Sequence, residues 1–215
     1  MLLRISTNIA GPFFAVYMLK DLGLPYLWFM GITVSGTLFQ FIFLPVLGKT
    51  SDKFGNISLL RVSCIGIGIT PLLWLISANP FYLITIPSIV SGFGWAGFWL
   101  ATNNYIYDSV SQEKRGYGMT YFNLMGGIGL FIGAGLGSLI ALFNIGFMNT
   151  LLFIFMISGV SRLAVVLFGS RYLKEVRRVP EFYPQFMIQE FQPARGIVRE
   201  VHKLNHIGEK IEHYI

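Results

Sequence analysis

The chain has 215 residues, 54% of them hydrophobic and only 12% charged, with 20 Phe and 24 Gly. A soluble domain of this length could not hide so much apolar surface, so the composition points to a bilayer as its solvent. The formal charge of +6 does not mark a nucleic-acid binder, because the Lys and Arg residues lie between apolar runs and in the tail rather than on one basic face.

About 20 apolar residues in a helix cross a bilayer core, and six runs meet that need, near residues 5–19, 25–47, 58–77, 81–107, 117–143 and 147–170. The first lacks a small-residue cleavage site and is followed by runs of equal strength, which argues against a removable signal peptide. It is also the weakest, because Arg4 shortens it and its start reads as cut off. Within it, Asn8 would bond either a neighbouring helix or a solute, and Tyr17 is a further polar candidate. Gly11-Pro12 places a proline without a backbone donor near the middle, giving either a plain kink or a loosened segment. The second run holds the single amide Gln40. The third holds the chain's one cysteine, Cys64, which excludes an intrachain disulfide and reads as packing.

The fourth run carries Trp95, Trp99 and Asn103 at four-residue steps, a spacing that sets them on one side of a helix. Such a stripe fits the apolar body and polar groups of a small molecule. Asn104, Tyr105 and Tyr107 after it read as interface anchors. The fifth run contains Asn123 and then Gly129, Gly133 and Gly137, a flat strip for close helix packing that is either a static seam or a sliding surface. The sixth contains Arg162, a charge whose placement inside a span costs at least about 2.5 kcal/mol. The expectation is that it snorkels to the headgroups or pairs with a helix, a wet cavity being the alternative. No carboxylate falls near the middle of a run, so no proton-coupling acid is visible.

Cations mark alternate junctions: Lys49, Lys53 and Arg61, then Lys114 and Arg115, then Arg171, Lys174, Arg177 and Arg178, against Lys20 alone on the other side. The positive-inside rule then predicts both termini in the cytoplasm and residues 21–24, 78–80 and 144–146 outside. Two regions follow, a bundle over 1–173 and a cytoplasmic tail over 174–215. The tail's Ile197, Val201, Leu204 and Ile211 form an amphipathic face for the membrane or bundle, or else for a partner protein. His202, His206, Glu209 and His213 share a helical spacing. No catalytic cysteine, phosphate loop or acid pair accompanies them, so neither an enzyme, a metal site nor a cofactor is expected.

Two segments carry a family resemblance. Gly48-Lys49-Thr50-Ser51-Asp52-Lys53-Phe54-Gly55 resembles the G-x-x-x-D-[RK]-x-G loop of major facilitator superfamily transporters, and Asp108 with Glu113-Lys114-Arg115-Gly116 is similar to the E-[KR]-R-G element two spans later. The two glycines would permit a tight turn, Asp52 would accept at a neighbouring helix N-terminus, and Lys53 would reach a carboxylate or lipid phosphate. Asn56 and Ile57 stand where further basic residues often follow. The resemblance, over about 5–173, implies an all-α polytopic membrane protein: one C-terminal six-helix half built of 3+3 inverted repeats. It implies a cytoplasmic latch of Gly48, Asp52, Lys53, Gly55, Asp108 and Arg115, and a cavity lined by the first and fourth helices, with Asn8, Tyr17, Trp95, Trp99 and Asn103 as candidates. It also implies transport of a small solute by alternating access beside a second six-helix half, the chain itself being truncated or split. A self-pairing half-size carrier and a non-transporting scaffold with a partner-binding tail are the alternatives.

Overall fold

The computed structural model describes residues 1–143, 146, 148–169, 172, 173 and 175, which fall in one compact unit, Met1–Pro180. The expected amphipathic face and histidines of the tail lie outside the described residues. Every element among the described residues is helical, and six helices are long and apolar enough to cross a membrane: α1 (Leu2–Asp21), α2 (Tyr26–Phe54), α3 (Asn56–Leu73), α4 (Pro80–Ser109), α5 (Arg115–Ala141) and α6 (Thr150–Gly169). The fold is an all-α, multi-pass membrane bundle.

Local chemistry sets the ends and breaks of these helices. In α1 the helix Leu2–Ala10 gives way to a turn at Gly11-Pro12, where proline supplies no donor for the carbonyl of Asn8, and then resumes as Phe13–Val16 and a wider π turn, Tyr17–Asp21. Arg4 does not shorten this span as the sequence predicts; it lies inside it. At α4, Asn79 caps the first turn by accepting from the Phe81 amide at 2.9 Å, and Pro80 occupies the first helical position. At α6, Asn149 accepts from the Leu151 amide at 2.8 Å and donates to Asp21 at 2.6 Å, tying the start of α6 to the end of α1.

The segment expected as a loop over 48–55 is helical through Phe54. Gly48 sits in α2 with open space around it, and the connection to α3 is made by Gly55 alone, at φ 85° and ψ 163°. Only that glycine needs the left-handed region that side chains resist.

Side-by-side packing runs α2 against α4, α4 against α3, α3 against α6, α6 against α1, and α1 against α5. This order maps onto itself when each of the first three helices is exchanged with the one three later, which is the pattern of a threefold-plus-threefold repeat. Because each repeat has an odd number of crossings, the second enters the membrane from the opposite face. The two flank helices, α2 and α5, are equally the least covered, and α3 is the most. Large apolar side chains such as Leu27 and Phe41 on α2 and Phe131 on α5 are left to lipid.

Candidate functional site

The glycine strip on α5 brings α1 close to its neighbour. A side-chain carbon on Gly129 would stand 2.9 Å from Arg4 Cβ, one on Gly133 would meet Ile5 O and Asn8 Cβ, and one on Gly137 would meet Ile9 O and Phe13. These three are the buried residues of α5, whereas Gly127 and Gly135 face open space. The contact is backbone to backbone, the approach small residues permit in lipid.

On the other side of α1 lies a cavity of about 270 Å³, walled by Arg4, Thr7, Asn8, Gly11 and Phe14 of α1, Thr70 of α3, Ser91 and Trp95 of α4, and Arg162 of α6. Its wall thus comes mainly from the first and fourth helices. Asn8 and Trp95 are on it. Trp99 stands beside it, its ring 4.6 Å from the Arg4 guanidinium carbon, which is also 5.9 Å from the Trp95 ring. Asn103, two turns beyond Trp95, is not among its walls; its Oδ1 is buried and has no hydrogen-bond partner among the described residues. Tyr17 is absent from the wall as well: at 5% exposed it packs edge-on against Trp74 and Phe155 in the aromatic core that also stacks Phe14 on Phe155 at 4.4 Å. Tyr17 is the first residue of the π turn. Of the two single amides, Gln40 is half-buried and Asn123 is exposed.

Arg162 does not snorkel. It is 4% exposed and donates through Nη1 to Ile67 O and through Nη2 to Thr7 O, both at 3.0 Å. The physical reason lies in α3, where Pro71 has no N–H to give the carbonyl four residues earlier, which is Ile67. An orphaned carbonyl inside a membrane costs several kcal/mol, and the guanidinium of α6 meets it. The same device recurs in α4, where Pro87 frees Leu83 O and Ser88 Oγ donates to it at 2.9 Å. Ser158 Oγ adds a bond from α6 to Ser6 O on α1 at 2.7 Å. Arg162 therefore links α6 to both α1 and α3 while lining the cavity.

A second pocket of about 400 Å³, mostly apolar, opens toward the end of the bundle where the basic junctions lie. Cys64, Phe98, Thr102, Phe122 and Val166 are among its walls, and Arg4 borders both hollows.

At that basic end the hub is Asn56, a residue the sequence marks only as a departure from the family pattern. It is 0% exposed, accepts from Ser51 Oγ at 2.5 Å and donates to Asp108 Oδ2 at 2.8 Å, while Asn104 Nδ2 donates to Ser51 Oγ at 3.4 Å. An amide, which donates and accepts at once, joins the ends of α2, α3 and α4. The carboxylate accepting at the N-terminus of α3 is Glu175, bonded by the Ile57 amide at 2.8 Å, and not Asp52, which is exposed. Arg61 Nη2 donates to Leu173 O at 3.3 Å, drawing the chain after α6 to the same place. Lys53 Nζ lies 5.4 Å from the Phe54 ring and the Arg115 guanidinium carbon 5.5 Å from that of Tyr107.

Six bilayer-length helices define a multi-pass membrane protein. Residues 1–199 match the family described as Major Facilitator Superfamily, and the chain belongs to that superfamily. It is also 25% identical over 147 residues to a curated Bacillus subtilis (strain 168) protein described as "Uncharacterized MFS-type transporter YfiU", an alignment covering 68% of this chain and 27% of that protein. The chain thus spans little more than a quarter of the length of the relative it matches. No solved structure matches it.

Proposed function

We propose that the chain is one six-helix bundle of a secondary transporter that moves a small solute by alternating access, its hollow facing a second six-helix bundle. The observation that carries this reading is the cavity itself: walled chiefly by α1 and α4 and bordered by polar groups of Arg4, Asn8, Ser91 and Arg162, within a bundle whose packing repeats three helices on three. In this reading Asn8 and Trp95 contact the solute, Trp99 and Asn103 extend the same face of α4 toward the basic end, and Asp52, Lys53, Asp108 and Arg115 belong to a latch with the partner bundle. Both termini and the basic end lie in the cytoplasm. The protein then acts as a carrier rather than an enzyme and needs no cofactor.

The test is reconstitution in proteoliposomes with single cysteines introduced in a Cys64→Ser background. Ser91→Cys should react with membrane-impermeant maleimide from one face at a time, with the reactive face changing when solute is added. Reaction that never depends on solute would remove the alternating-access reading. Lys53 and Lys114 should be modified by an impermeant amine reagent from the same side, and opposite sides would overturn the assigned orientation.

A further inference from the structure

The cavity's charge is one-sided. Two guanidinium groups, Arg4 and Arg162, line it, and none of its walls is acidic. The acids among the described residues are Asp21, Asp52, Asp108, Glu113 and Glu175, all at helix ends or connections. Burying a cation away from water is unfavourable unless something pairs with it, yet both arginines leave Nε buried without a hydrogen-bond partner. Arg162 is held in place by Ile67 O and Thr7 O, and Arg4 is held over Trp99 at 4.6 Å. Beside them Trp95 and Phe14 give the hollow apolar walls.

We propose that this cavity takes a small organic carboxylate, with Arg4 and Arg162 meeting the carboxylate and the Trp95 and Phe14 surfaces meeting its apolar body. The inference rests on the reading of the cavity as the solute site and adds the charge class of the solute. A guanidinium presents a planar fork of donors that matches a carboxylate, and donors fixed beforehand lose little freedom on binding. A cationic solute would be repelled by both arginines. A neutral one would leave the buried charge of Arg162 uncompensated.

The experiment uses the full chain purified in detergent and three probes that share one ring and differ in charge: benzoate, benzamide and benzylamine. Calorimetry should find benzoate bound about tenfold or more tightly than benzamide, as fits a charge-assisted contact, with benzylamine weakest. Arg4→Gln should weaken benzoate about tenfold and leave benzamide unchanged, while Arg4→Lys, which keeps the charge, should restore part of the loss. Equal binding of benzoate and benzamide, no binding of either, or indifference of benzoate to Arg4→Gln in a folded variant would each overturn the proposal. Uptake by the same protein in vesicles separates this from the broader reading. Uptake of solutes without charge preference sinks only the carboxylate site; Arg4-dependent benzoate binding without any uptake sinks only the carrier.

Discussion

Replacing Gly133 by alanine tests whether the seam between α1 and α5 positions the cavity. The added carbon would fall against Ile5 O and at 2.9 Å from Asn8 Cβ. The first of these is backbone and cannot swing aside, so α1 and α5 must separate. Overpacking of this kind costs about 1–3 kcal/mol, opposed by a helix-propensity gain of at most about 1 kcal/mol. Gly135→Ala on the open face of the same helix receives the gain without the clash. The two variants should therefore differ by about 1–3 kcal/mol, or on the order of 5 °C in melting temperature for a chain of this size. Thermal unfolding in one detergent, read by tryptophan fluorescence, measures the gap. Because Arg4, Thr7 and Asn8 ride on α1, Gly133→Ala should also weaken solute binding where Gly135→Ala does not. Equal melting temperatures and equal binding for the pair would refute the claim that this seam sets the geometry.

Arg162→Met should destabilise the bundle by about 1–3 kcal/mol by leaving Ile67 O unsatisfied, and adding Pro71→Ala, which returns an N–H to that carbonyl, should recover a measurable part; additive losses in a double-mutant cycle would contradict the pairing. Asn56→Ala should cost about 1–3 kcal/mol in unfolding experiments, since Asp108 and Ser51 lose a shared buried partner; an unchanged melting temperature would remove Asn56 as the hub. Asp52→Asn should leave stability unaltered, the side chain being exposed, and slow uptake in proteoliposomes; unchanged uptake kinetics would discard its latch role.

The six crossings are readable from hydropathy because lipid demands a continuous apolar helix, and the glycine steps at 129, 133 and 137 are readable because a face is a matter of spacing. What hydropathy cannot supply is which helix lies beside which. Arg4 looks like a flaw in the first span until α4 places two tryptophan rings against it. Arg162 looks like a snorkelling charge until Pro71, on another helix, is seen to free a carbonyl beside it. Tyr17, polar by type, sits in an aromatic core whose other rings, Trp74 and Phe155, come from distant helices that no local pattern announces. The motif over 48–55 misleads in a different way: two glycines suggest a loop, but only Gly55 takes a positive φ, and residues between them continue the helix. Asn56, set down as a missing positive charge, serves as a two-way hydrogen-bonding joint instead.

The mirrored packing order means that each flank seam exists in duplicate. What Gly133 does between α5 and α1, Gly92 does between α4 and α2, where an added carbon would crowd Phe39 and the Gln40 amide. Only the α3–α6 seam, where Gly68 receives Leu163 and Gly159 receives Leu72, is its own counterpart. A defect on either flank leaves its twin to hold the opposite wing, whereas a defect along that central keel has no reserve.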